Sequence, residues 1–194
     1  MKAIILAGGR GKRLRPITDK IPKPLIPINN KPLIERTIKY LKKYGVTEII
    51  ISTGYKSHLI EKFLKQKKNF GCEIIFSIEK TPLGTGGAVK KALKHVEENS
   101  FLVLNGDIVT NINLKDVTNV WMNPGIYHLS TEIQKIIPKK GSLEGIVFPK
   151  MVKNKKLNTV KFKNALWFSI DSHKDIEECS KEIKSKKYSK YFKY

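Results

Sequence analysis

Residues 2–18 read KAIILAGGRGKRLRPIT. The run Ala3–Ala7 is apolar without polar alternation, the pattern of a strand buried on both faces. The chain leaves it through Gly8, Gly9 and Gly11, straight into Lys12, Arg13 and Arg15. A turn needs one or two glycines and no cations. Glycine lets a backbone approach a ligand closely and turn its N–H groups inward as an anion nest. Cations just beyond it supply the charge that a polyphosphate requires. On this stretch alone, a glycine turn with solvated cations stays open as the other reading.

Outward from that strand, apolar runs alternate with helix-period segments. PLIERTIKYLKKYG reads as an amphipathic helix closed by Gly45, and TEIIIST as a second strand. YKSHLIEKFLKQKK carries Tyr55, Leu59, Ile60, Phe63 and Leu64 on one helical face. CEIIFSIE is a strand, GGAVKKALKHVEE a helix, and SFLVLNGD a strand again. Such an order implies an α/β fold, a three-layer sandwich with a mostly parallel, Rossmann-like central sheet built from right-handed β-α-β units. Beyond Asp116 the pattern loosens. GIYHL, LNTVKF and ALWFSI are candidate strands, and STEIQKI and SLEGIVFPKMV are short helices. SHKDIEECSKEIKS is a helix whose Ser172 and Asp175 have capping-box spacing. The tail SKKYSKYFKY is basic and aromatic, and the expectation for it is a frayed terminus.

The chain has 194 residues, 40% of them hydrophobic and 28% charged, enough for one domain with a real core. Its apolar runs are too short to cross a bilayer. The first seven residues are too short for the apolar part of a secretory signal, so a cytoplasmic protein without a membrane partner is expected. Cys72 and Cys179 match no metal spacing and read as reduced, buried thiols. The four histidines are scattered, which disfavours zinc chemistry. A formal charge of +21 raises nucleic acid as a partner. Yet the cations are 34 lysines spread along the chain and four arginines, so a solvated surface is the preferred reading and RNA binding the weaker one. Three of the four arginines, Arg10, Arg13 and Arg15, lie in the opening stretch.

Two better-known phosphate loops do not fit. A P-loop needs Ser or Thr where Arg13 follows Lys12, and the dinucleotide fingerprint needs glycine where Leu14 stands. Further features fall at the carboxyl ends of the strands, where open α/β sheets bind ligands. Lys23 lies between two prolines in KIPKPLIPI, each fixing φ. TPLGTGGA puts Gly84, Gly86 and Gly87 before a helix as a second place of close backbone approach. LVLNGD ends a buried strand in Asp107, a lone acid of the kind Mg²⁺ takes, since that ion keeps most of its waters.

These motifs, LAGGRGKRLRPIT, PKPLIPI, KPLIE, PLGTGGA and LNGD, resemble in order and spacing those of the sugar-1-phosphate nucleotidyltransferases, the NDP-sugar pyrophosphorylases. The resemblance runs from Met1 to Asp116, with later pieces in MNPGIYHLSTEI and GSLEGIVFPKM. It implies the nucleotide-diphospho-sugar transferase type of fold, and a reaction joining a nucleoside triphosphate to a sugar 1-phosphate with release of pyrophosphate. It also implies that Leu6, Ala7, Gly8, Gly9, Gly11, Lys12, Arg13, Pro82, Gly84 and Thr85 bind nucleotide. Arg13 and Lys23 would act on the phosphates at the reacting centre, and Asp107 would hold Mg²⁺. Gly106, Asn123 and Glu144 would face the sugar. On the same basis residues 1–116 form a nucleotide-binding half, 117–185 a shortened sugar-binding half and 186–194 a basic tail, all within a single domain over 1–194.

Two departures stand out. The family's E-K-P motif, whose lysine grips the sugar phosphate, is absent, and KDVTNVWMN joins its flanks directly. In WFSIDSHKD, Ser169 stands where the family has a second metal carboxylate. Asp171 lies two residues on, about 6–7 Å along a strand. It either takes over the metal role or caps the last helix. Three functions therefore stay open at this point: a compact enzyme, a nucleotide or nucleotide-sugar binding protein without turnover, and RNA binding. An exposed sheet edge left by the missing segment also leaves room for a homo-oligomer.

Overall fold

The computed structural model describes residues 1–116, 125–158, 162 and 165–193. Strands β1 (Ala3–Ala7), β4 (Glu48–Thr53), β5 (Glu73–Ile78) and β6 (Ser100–Asn105) form the parallel part of a sheet. Strand β8 (Ile126–Ser130) pairs antiparallel to β6, giving the order β5-β4-β1-β6-β8. Ala3 stands between Ile49 and Leu102, and Leu6 pairs with Asn105.

The unbroken apolar runs are explained by burial on both faces. Ala3, Ile5, Ile49 and Ile51 turn toward α2 (Leu33–Lys43) and α3 (Ser57–Gln66), meeting Ile34, Ile38, Leu41, Ile60 and Leu64. Ile4, Ile50 and Val103 turn the other way, onto α4 (Gly84–Ala92) and the segment Leu143–Val147 that leads into α5 (Phe148–Lys153). That is the three-layer α/β sandwich expected, with period-2 alternation hidden inside runs that are apolar on both sides.

A third apolar cluster lies beyond the strand ends. It gathers Leu14, Ile26 and Ile28, Leu33, Val109, Leu166 and Ile170, Cys179, Ile183 and Phe192. Its parts are the short helix α1 (Ile17–Lys20), the hairpin β2 (Pro27–Ile28) and β3 (Lys31–Pro32), the ladder of β7 (Ile108–Thr110) with β9 (Trp167–Ser169), and α6 (His173–Lys184). The capping box forms at the start of α6, with Ser172 and Asp175 bonding reciprocally. Cys72 and Cys179 are free and buried, as expected.

The tail departs from the sequence expectation. Ser189–Tyr191 makes a helical turn, and Phe192 is buried at 7% exposure in the third cluster. Burial of the ring, together with the backbone hydrogen bonds of the turns over Ser185–Phe192, opposes the entropy that a free chain end keeps. Half of the expected strand LNTVKF, residues 159–161, lies outside the described residues.

Candidate active site

The loop after β1 is built to hold cations at a strand end. Gly11 takes a left-handed φ of +60° and its carbonyl accepts from Leu14 N at 2.9 Å, closing a tight turn over Lys12–Leu14. Leu14 is buried and pins the turn, leaving the Arg13 side chain 76% exposed over the cleft. A side chain on Gly11 would meet Thr18 Cγ2 at 3.0 Å and Lys23 Cβ at 3.3 Å. Gly11 therefore makes room for the stem of Lys23 as well as for the turn. The loop is tied to the next crossover: Tyr55 OH donates to the Thr18 carbonyl at 3.0 Å, and Lys56 Nζ donates to the carbonyls of Asp19 and Lys20.

Lys23 opens a turn over Lys23–Leu25 that is flanked by Pro22 and Pro24. Its side chain is 12% exposed, and Nζ lies 2.6 Å from Asp107 Oδ2 and 2.9 Å from Asp171 Oδ1. Arg13 Nη2 reaches the same Asp171 oxygen at 2.7 Å, and Ser169 Oγ donates to Asp171 Oδ2 at 2.8 Å. The β7–β9 ladder brings the carboxylates together. Ile108 pairs with Ser169, and one step further Ile170 N donates to the Asp107 carbonyl at 3.0 Å.

Of the two roles open for Asp171, the geometry removes the cap. Ser172 and Asp175 cap α6, and Asp171 gives that box only its backbone N–H, at 2.8 Å from Asp175 Oδ2. Burial alone would push the Asp171 carboxyl up. Hydrogen bonds from Lys23 and Ser169 and the charges of Lys23 and Arg13 outweigh that and hold it below the usual carboxylate range.

Two clefts meet over these residues. The first, about 270 Å³, is lined by Gly9, Gly11, Lys12, Arg13, Lys23, Gly106, Asp107 and Asp171 among others. The second, about 350 Å³, runs toward Gly8, Arg10, Glu79, Pro82, Gly84 and Thr85. Both are bounded by Leu6, Ala7, Gly9 and Asp107, so they form one trough across the ends of β1 and β6. In the strand order β5-β4-β1-β6 the winding reverses between β1 and β6, the place where open α/β sheets bind ligands. Gly106 is the point of closest approach there: its N–H donates to Leu6 O at 2.8 Å, and an added Cβ would sit 2.8 Å from that oxygen.

The second glycine group has a different reason from the one expected. It lies inside α4, which starts at Gly84, and its close neighbour is the chain itself. A Cβ on Gly84 would lie 2.6 Å from Gly141 O, and one on Gly87 2.6 Å from Lys139 O. Gly86 N donates to Gly141 O at 2.8 Å. The glycines admit the 139–141 loop, while Gly84 and Thr85 still line the trough. Glu144 joins it through Thr85, whose Oγ1 donates to Oε2 at 2.7 Å, and Tyr127 OH donates to Oε1 at 3.1 Å. Asn123 lies outside the described residues.

Sequence reasoning missed Glu79. Its Oε1 accepts from Ser52 Oγ at 3.1 Å and its Oε2 from Leu83 N at 3.0 Å, which fixes a carboxylate in the wall of the second cleft. The signal available was an acid directly after an apolar strand, at the same sheet end as Asp107.

A divalent ion fits the first cleft. Asp107 Oδ1 is buried without a hydrogen-bond partner, and Asp107 and Asp171 already converge on one cation. Both donors are hard oxygens, which suits Mg²⁺. No group of three or more ligating side chains occurs among the described residues, and Mg²⁺ needs only one or two carboxylates.

Trough, cation cluster and carboxylate pair lie together at the strand ends of an α/β sheet and have the charge to meet an anionic ligand. Residues 2–122 match the family model for nucleotidyl transferases, and the chain belongs to that family. It is 49% identical over 114 residues to the D-glycero-alpha-D-manno-heptose 1-phosphate guanylyltransferase of Campylobacter jejuni, covering 59% of this chain and 51% of that protein. The enzyme of the same name from Aneurinibacillus thermoaerophilus is 45% identical over 115 residues, covering 59% and 50%. The chain spans about half the length of these curated relatives. Among solved structures, HddC from Yersinia pseudotuberculosis, complexed with GMP-PN, superposes with a TM-score of 0.76 at 27% identity, covering 94% of this chain and 99% of that one. The fold is thus the Rossmann-like nucleotide-diphospho-sugar transferase type. No helix of the described residues is long and apolar enough to cross a membrane.

Proposed function

We propose that this protein transfers a guanylyl group from GTP to a manno-configured sugar 1-phosphate, releasing pyrophosphate, in the cytoplasm. Residues 1–116 hold the nucleotide, and the later segment closes the acceptor side. The observation that carries this is the single trough, with cations and paired carboxylates at one end and the fixed Glu79 carboxylate at the other. Guanine presents two adjacent donors, N1–H and N2–H₂, on its Watson–Crick edge, and a carboxylate presents two acceptors. Uracil and thymine offer one donor between two oxygens and match it poorly. The relatives' names, which specify guanylyl transfer to heptose 1-phosphate, point the same way.

A phosphate oxygen of the sugar 1-phosphate attacks the α-phosphorus, the α–β anhydride bond breaks, and pyrophosphate carries away the electron pair. No covalent enzyme intermediate is needed, only alignment and positive charge where negative charge gathers. Arg13, Lys12 and the Gly8–Gly11 backbone hold the triphosphate, and Lys23 reaches the oxygens at the reacting centre. Asp107 and Asp171 would hold Mg²⁺, which when bound neutralises phosphate charge. Glu144, oriented by Thr85 and Tyr127, accepts from sugar hydroxyls.

A binding protein without turnover is favoured if Asp171 stays away from Asp107, and the shared contact with Lys23 argues against that. The test is pyrophosphate release with Mg²⁺, crossing five nucleoside triphosphates with heptose, mannose and glucose 1-phosphates. The reading predicts turnover with GTP that is lost in Asp107→Ala and relaxed toward other bases in Glu79→Gln. Nucleotide binding with no turnover across the panel would replace it with the binding-protein reading. Tight, salt-sensitive RNA binding indifferent to Arg13 and Asp107 would replace both.

A further inference from the structure

The place between Asp107 and Asp171 is held by the protein's own cation. Lys23 Nζ is within 2.9 Å of both carboxylates. Its stem is confined by Gly11 and by the turn between two prolines, so the ammonium has few other places to go. An ammonium has three donors, and two are spent on carboxylates. Two acids converging this closely repel each other unless a cation stands between them.

We propose that Lys23 is a placeholder cation. In the ligand-free protein it holds Asp107 and Asp171 together and keeps a divalent ion out of the cleft. When a polyphosphate arrives, the ammonium turns onto phosphate oxygens and vacates the carboxylates. One ammonium and one divalent cation repel each other in the same space, whereas the added phosphate charge lets both stay. Metal and triphosphate are then linked ligands, each raising the other's affinity, with Lys23 carrying part of that coupling. Arg13 contributes less, because at 76% exposure it can leave Asp171 for water. The inference rests on the proposed reading of Asp107 and Asp171 as the metal-holding pair.

The test is binding of Mn²⁺ to the full chain without nucleotide, read from the electron paramagnetic resonance signal of the free ion. Lys23→Met and Lys23→Gln are both compared with wild type, each checked for native circular dichroism. The expected result is affinity at least about tenfold tighter than wild type in a folded variant. Adding Asp107→Asn to that variant should remove the gain. Folded variants that bind Mn²⁺ no more tightly than wild type overturn the proposal. Should the wild type still release pyrophosphate from GTP with Mg²⁺, the placeholder alone has failed. If it neither turns over nor binds Mn²⁺ in any variant, the metal-site reading has failed as well.

Discussion

Replacing Phe192 with alanine probes whether the end of the chain is part of the site's foundation. The ring is 7% exposed and packs into the cluster that contains Leu14 under the cation loop and Ile170 beside Asp171. A phenylalanine side chain buries about 200 Å². At about 25 cal/mol per Å² the transfer term is about 5 kcal/mol. A compact unfolded chain and relaxation near a chain end reduce this to about 3 kcal/mol, the lower part of the range for such truncations. Urea unfolding followed by circular dichroism should therefore show a lower midpoint with an unchanged slope. The nucleotide KM should rise too, because the cluster that seats Leu14 and Ile170 loses one of its members. A variant within about 0.5 kcal/mol of wild type would mean that the tail is an ornament and that the third cluster stands without it.

Three further outcomes are expected. Asp175→Ala leaves the N–H groups of Asp171 and Ser172 unpaired and should cost about 1 kcal/mol in urea unfolding. The Asp175 carboxyl is only partly buried, which raises its pKa, but bonds from Asp171 and Ser172 more than offset that and lower it. Its stabilisation is full above the ordinary value of 3.8 and is lost as pH falls through the depressed one, so the variant should lose stability less steeply in that acid window. Gly106→Ala forces a methyl to within 2.8 Å of Leu6 O and should destabilise by about 1–3 kcal/mol while cutting pyrophosphate release, since Asp107 is the next residue. Cys179 is buried, which pushes its thiol up to about 12, so iodoacetamide at neutral pH should spare it until urea unfolds the chain.

The middle of the central sheet was legible because β1, β4 and β6 are apolar runs buried on both faces, a pattern that helices and loops do not produce at that length. Lys23, Arg13 and Asp107 were legible for other reasons: a lysine fixed between two prolines, an arginine just past a glycine loop and an acid just past a buried strand have little structural cause to be there. The β7–β9 ladder was legible only in part: ALWFSI reads as a strand, but the three residues Ile108–Thr110 that pair with it, 59 positions earlier, carry no periodicity of their own. The neighbour of Gly84–Gly87 was also hidden. A missing Cβ says that something comes close, but a ligand and the 139–141 loop ask for the same glycine. The seat of Phe192 depends on a cluster assembled from six separate segments, which no local window contains. Glu79 was readable in principle and was passed over because it precedes the more conspicuous glycines.

The ladder between β7 and β9 also sets when the site can exist. Asp107 and Asp171 belong to segments separated by more than 60 positions, and they meet only where Ile170 bonds to the Asp107 carbonyl. During synthesis the first of these can be folded on its sheet while the second is still inside the ribosome. A nascent chain released to fold before Asp171 emerges has the glycine loop, Lys23 and one acid, but not the pair. Competence of the cleft therefore depends on synthesis well past residue 122, although the match to the family model ends there.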